Sequence, residues 1–243
     1  MSANASSLLD WKPALRPKPV TLRGRYVTLE PLGAERHTAA LWEALQPHKR
    51  QRSAVGDTGV ANHDAPWTWM ADGPYATQAE LREALAQKEA ATGAVFLAIV
   101  PAETGLAAGY ASYMRIEPAH GVVEVGNVLL APALQRTTAA TEAMCLMASH
   151  AFEYLGYRRY EWKCDAENLP SHRAALRLGF TFEGIFRQHM VVKGRNRDTA
   201  WFSMLDCEWP ARKLAFEAWL APDNFDRKGQ QRQSLRQLPD AGN

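Results

Sequence analysis

The stretch that decides the fold runs from Val123 to Met144, VEVGNVLLAPALQRTTAATEAM. It opens as an apolar run with Glu124 set among valines, which reads as a strand over Val122–Leu130. Ala131–Pro132 ends that run, and a helix rich in Ala and Met follows from Thr137 to about Leu155, closed by Gly156. Where the chain turns, Gln135 and Arg136 lead into residues that are small or hydroxylated: Thr137, Thr138, Ala139, Ala140 and Thr141. A helix N-terminus exposes unpaired amides at the positive end of its dipole, which suits a pyrophosphate. Arg136 adds a formal charge, and Thr137, Thr138 and Thr141 add hydroxyl donors. Threonines that simply cap a helix would look the same.

Working outward, the upstream chain reads as a strand at Tyr26–Glu30, a helix at Ala34–Leu45 and a long irregular aromatic segment over residues 46–76. Thr77 with Glu80 forms a capping box for a helix to about Ala91. Strands follow at Ala94–Val100 and Gly109–Ile116. Downstream lie a strand at Arg159–Cys164, a helix at Pro170–Leu178 ended by Gly179, two strands around Lys193–Asn196, and a helix from Pro210 to Leu220. This order predicts an α/β or α+β domain on one mixed sheet. Residues 1–19 and 225–243, polar and basic, are expected to be disordered tails around a single domain over residues 20–224.

Composition narrows the function. The chain has 243 residues, 47% hydrophobic and 22% charged, as in an ordinary globular protein. No apolar run is long enough to cross a bilayer, and Asp10, Lys12 and Pro13 stand where a signal peptide would be apolar, so a cytoplasmic protein is expected. Cys145, Cys164 and Cys207 suggest neither disulfides nor a zinc site, and the seven histidines never pair at metal-ligand spacing. The formal net charge is +2, yet the ends are basic and residues 26–225 carry about −4, which disfavours a nucleic-acid partner. A phosphate loop, G-x-G-x-x-G, G-x-S-x-G and H-E-x-x-H are all missing, which weakens kinase, hydrolase and zinc-enzyme readings.

A second segment, Asn168–Phe180, places Asn168, Ser171 and Ala175 on one helix face. With both segments in view, residues 21–208 resemble the GCN5-related N-acetyltransferase (GNAT) superfamily, in its ribosomal-protein N-acetyltransferase branch. The resemblance implies a strongly twisted mixed sheet with helices on both faces and splayed fourth and fifth strands, with acetyl-coenzyme A in the splay. It implies that Val128, Leu129 and Leu130 offer backbone groups to the pantetheine and that Gln135 opens the pyrophosphate loop. Amides from Arg136 through Thr141 would cradle the phosphates, with Asn168 on the pantetheine and Arg177 near the phosphates. Two family glycines are replaced, by Arg136 and Thr138, and Ala175 stands where many members carry a tyrosine acid. Ser171, one turn earlier, is then the expected acid.

The implied reaction is direct attack of an amine on the thioester in a ternary complex. Glu124 is the candidate base, its pKa open to elevation in the cleft; a solvent-facing Glu124 is the competing reading. An amide near Leu129 or Leu130 would hold the oxyanion. For the amine acceptor, a protein N-terminus or a small amine, the aromatics Trp67, Trp69, Tyr75 and Tyr113 are candidate contacts, or else they plug the sheet's edge. Either a monomer or a homodimer fits. The rival reading is a catalytically weakened coenzyme A-binding or regulatory module, suggested by the residues at Thr138 and Ala175.

Overall fold

The strand runs become β1 (Leu22–Arg23), β2 (Val27–Pro31), β3 (Val95–Pro101), β4 (Gly109–Glu117), β5 (Val122–Leu130), β6 (Arg159–Asp165), β7 (Thr181–Val192) and β8 (Arg195–Leu205). The helices are α1 (Ala34–Leu45), α2 (Gln78–Glu89), α3 (Thr138–Ser149), α4 (Leu169–Arg177) and α5 (Trp209–Leu220). These elements come from a computed structural model that describes residues 11–46, 65–227 and 229–236. The helix expected to end near Leu155 leaves α-geometry after Ser149 and continues as a π-helical turn, His150–Tyr154. No helix among the described residues is long and apolar enough to cross a membrane.

One sheet has the order β1-β2-β3-β4-β5-β6-β8-β7. Neighbours are antiparallel except β5 and β6, which run parallel. That pair holds only from Val122–Arg159 to Val125–Trp162; beyond it Gly126–Leu130 and Lys163–Asp165 part company. The expected splay is therefore present, one strand later in the count because the short β1 precedes the strand read first. Its local cause is a bulge. Tyr110 faces Leu129 and Ser112 faces Gly126, so β5 carries one extra residue, and Asn127 sits at φ +50°. An extra residue bends its strand, and Asn tolerates the left-handed region better than most side chains.

Alternation along the strands builds two cores. Leu29, Ile99, Ala111, Tyr113, Val123 and Val125 pack on one face against Ala143 and Met147 of α3 and Phe216 of α5. Ala98, Tyr110 and Leu129 pack on the other, against Leu41 of α1 and Leu81 and Leu85 of α2. The Glu142 carboxylate on α3 accepts hydrogen bonds from the amides of Arg25, Tyr26 and Val27 at 2.9, 2.6 and 2.9 Å, tying the β1–β2 turn to that helix.

The expected tails need correcting where they are described. Trp11 Nε1 donates to the Ala119 carbonyl at 3.0 Å, Ala14 is buried in the α3-side core, and the Leu15 amide donates to the Leu155 carbonyl at 2.8 Å. At the other end Phe225 bridges to Gln231, and Leu235 is buried in the same core. Polar composition hid a few apolar anchors with well-placed backbone bonds. The expectation of disorder for residues 1–10 and 237–243 falls outside the described residues.

Candidate active site

The gap between β5 and β6 leaves one edge of β5 without a strand partner. Alternation turns the peptide groups of Leu129 toward β4, where its carbonyl lies against Gly109 in the space a β-carbon would fill. Those of Val128 and Leu130 face the gap. The expectation for Leu129 is corrected accordingly: the β4–β5 ladder already uses its backbone. Gln135 Nε2 donates to the Leu130 carbonyl at 3.1 Å, which anchors the loop entering α3.

At the start of α3 the threonines divide their roles. Thr137 caps the helix: its hydroxyl accepts from the Ala140 amide at 3.1 Å and donates to the Leu134 carbonyl at 2.7 Å. The Thr141 hydroxyl donates to the Thr137 carbonyl and accepts from Arg177 Nη1, both at 3.2 Å, and the Thr141 amide also bonds Thr137. Ala140 and Thr141 therefore spend their expected phosphate donors inside the protein. The amides of Arg136, Thr138 and Ala139 have no protein acceptor among the described residues. Arg136 adopts φ +61°, the shape a glycine would hold, whereas Thr138 is the first helical residue and carries no left-handed strain. The Arg177 guanidinium also lies over the Trp219 ring at 4.7 Å.

Asn168 caps α4, its Oδ1 accepting from the Ser171 amide at 3.1 Å, which leaves its side-chain nitrogen as a donor. The Ser171 hydroxyl accepts from Trp162 Nε1 at 3.0 Å, so an oxygen lone pair is fixed and the hydroxyl proton is aimed elsewhere. Ala175 is wholly buried, and no hydroxyl stands at that position.

Glu124 does not point to solvent. It is buried on the α1–α2 side of the sheet, where Lys163 Nζ lies 2.7 Å from its Oε2. Lys163 also lies 3.4 Å from Glu161 Oε2 and 3.8 Å from the Trp201 ring centre. Arg115 stands 3.7 Å from Glu124 and 3.8 Å from Glu161, and Arg159 bonds Glu161 at 2.8 Å. Burial pushes the Glu124 carboxyl above its ordinary range, and the Lys163 charge offsets only part of that; burial likewise lowers Lys163. Trp162 shares the α3-side core with Val123 and Val125, while Glu124 and Lys163 alternate to the other face. Ser171 and Glu124 thus flank the β5–β6 junction from opposite faces. Sequence reading missed Lys163, although the alternation of charged Arg159, Glu161 and Lys163 with Tyr160, Trp162 and Cys164 was its signal.

The aromatic candidates separate. Trp67 is buried edge-on to Tyr75 with ring centres 5.2 Å apart, and together with Trp42, Leu45 and Leu81 they line a small cavity. The Tyr75 hydroxyl donates to Asp72 at 2.6 Å. Trp67 is buried and Tyr75 partly buried against the α1–α2 core, while Trp69 is 39% exposed. Tyr113 lies on the opposite face, fully buried under α3, with its hydroxyl donating to the Met147 carbonyl at 2.8 Å. Odd–even alternation in β4 removes it from any site beside Trp67. Lys193, in the β7–β8 turn, donates to the Trp67 carbonyl at 3.1 Å, so that hairpin reaches across to the aromatic turn on the Glu124 side.

Comparison with known proteins places the fold in a family. The family model for the acetyltransferase (GNAT) domain matches residues 27–181. A GCN5-related N-acetyltransferase from Brucella melitensis is 48% identical in sequence and superposes with a TM-score of 0.87, covering 95% of this chain and 99% of that one. A probable acetyltransferase of the GNAT family from Chromobacterium violaceum is 39% identical, with a TM-score of 0.74 over 86% of this chain and 98% of its own. An uncharacterized N-acetyltransferase of Bacillus licheniformis is 31% identical over 111 residues; the match spans 46% of this chain and 62% of that protein.

Proposed function

This chain belongs to the acetyltransferase (GNAT) family, and on that footing we propose that it moves an acetyl group from acetyl-coenzyme A to a primary amine by direct attack in a ternary complex. The observation that carries this reading is the open β5 edge, with Val128 and Leu130 facing the gap and the start of α3 close behind it. The residues present fit the cosubstrate. Val128 and Leu130 offer strand-like bonding to an amide-bearing arm, and Asn168 offers a side-chain donor. The amides of Arg136, Thr138 and Ala139, with the charges of Arg136 and Arg177, suit phosphates. When bound, acetyl-coenzyme A supplies the activated thioester.

The chain's own groups do the rest. Glu124 takes the proton of the incoming amine, and its elevated carboxyl makes it a better base than an exposed glutamate. The amides of Val128 and Leu130 are the donors placed to hold a developing oxyanion. As the amine–carbonyl bond forms and the carbon–sulfur bond breaks, Ser171, whose oxygen accepts from Trp162, would give its hydroxyl proton to the departing thiolate sulfur of coenzyme A. The acceptor is an amine on a protein N-terminus or a small molecule. A cytoplasmic site of action, as a monomer or homodimer, belongs to the same reading.

The test is coenzyme A release with a panel of peptide N-termini and small amines. Wild-type turnover is expected, with Glu124→Gln slower by about a hundredfold or more and binding acetyl-coenzyme A as before. The buried Ala175 favours a second reading, a coenzyme A-binding module. Tight binding without turnover on any amine would select it.

A further inference from the structure

We propose that Lys163 is a positioning residue for Glu124: it holds one carboxylate oxygen so that the other faces the β5–β6 gap, and it sets the pH at which that oxygen takes a proton. The inference rests on the reading of Glu124 as the base. Lys163 is the first β6 residue beyond the last rung shared with β5. Its Nζ lies 2.7 Å from Glu124 Oε2, and both side chains are more than nine-tenths buried. The Trp201 ring closes the ammonium from the other side at 3.8 Å. With Oε2 engaged, Oε1 is left to accept. It points along β5 toward Gly126, where a β-carbon would stand 3.2 Å from it, and Gly126 is the first residue of the unpaired edge.

The other charges around the pair come from each neighbouring strand. Arg115 of β4 is half exposed and touches Glu124 only at 3.7 Å, so solvent weakens its effect. Glu161 of β6 opposes Glu124 with a like charge, but its charge is shared with Arg159, which Glu183 of β7 also engages. Ser203 of β8 bonds Glu183. Lys163 is the buried cation in direct contact with the base, and an opposite charge at that range lowers a carboxyl pKa by about one to three units. Removing it should therefore raise the pH needed to ionise Glu124.

The experiment is the pH profile of kcat/KM for acetyl transfer by the full chain, for wild type, Lys163→Met, Lys163→Arg and Glu124→Gln. Lys163→Met should move the acidic limb upward by about one to three pH units while the calorimetric Kd for acetyl-coenzyme A stays unchanged. Lys163→Arg should restore most of the limb. Lys163→Gln carries the same expectation if the Met variant does not fold. An acidic limb unmoved in the Met or Gln variant overturns the inference. A limb that survives in Glu124→Gln instead overturns the assignment of Glu124 as base, so the two failures are told apart.

Discussion

Ser171 and Gly126 carry the most exposed claims at the scale of single residues. The Ser171 oxygen accepts from Trp162 and its hydroxyl is also within hydrogen-bond reach of the Cys164 thiol, so the role as acid turns on whether its proton can be given to the sulfur of coenzyme A. Ser171→Ala should lower kcat by at least about tenfold and leave acetyl-coenzyme A binding within about twofold, by steady-state kinetics beside calorimetry. Equal losses in both would make Ser171 a binding residue. Gly126 has no side chain to screen Glu124 Oε1, and a methyl there would meet that oxygen and the Met114 sulfur. Gly126→Ala should reduce kcat/KM for the amine while the protein keeps its cooperative unfolding; unchanged kinetics would show that Oε1 is not the accepting atom. Glu124 stands out in the sequence because it interrupts an apolar run, whereas the roles expected of Asn168 and Ser171 come from the family resemblance. Lys163 does not stand out, since a lone lysine on a strand looks like a solvated edge until its partner strands are known. Tyr113 failed for a related reason: proximity in the chain to a cleft says nothing about which face of a strand a side chain occupies.

At the scale of elements, α3 does two jobs. Its first turn keeps the amides of Thr138 and Ala139 available while Thr137 satisfies that of Ala140, and Glu142 fastens the chain at residues 25–27. Thr137→Ala removes the cap and should cost about 1 kcal/mol in a urea titration. Glu142→Ala strips three backbone amides of a buried acceptor, and a loss of at least about 2 kcal/mol is expected. A smaller loss for Glu142 than for Thr137 would mean that the β1–β2 turn is held by packing alone. The start of α2 was legible because Thr77 is spaced to cap it, and it does accept from the Glu80 amide; Thr137 and Asn168 cap α3 and α4 in the same way. The bulge at Asn127 was not read directly, because one inserted residue leaves the apolar pattern of β5 almost unchanged. The family resemblance supplied the splay; the register of β4 against β5 supplies its cause.

For the whole molecule, the family domain over residues 27–181 is wrapped by chain from both ends. Trp11 and Ala14 on one side and Leu235 on the other are held against the body, so deletion of residues 1–19 should lower Tm by several degrees rather than trim an inert tail. An unchanged Tm would show those contacts to be idle. Mixed-sheet architecture was readable from the order of strands and helices, whereas the few apolar anchors at the ends were hidden by Ser, Lys and Pro on one side and Gln and Arg on the other. The central claim concerns the gap that this architecture opens beside α3, and calorimetric titration of acetyl-coenzyme A into wild type and Thr138→Glu tests it most directly. Glutamate at the first helical position favours the helix dipole, so the fold is kept while a negative charge enters the phosphate site. Saturable binding by the wild type, abolished in Thr138→Glu, is the expected result; no wild-type binding, or equal binding by both, would contradict the account.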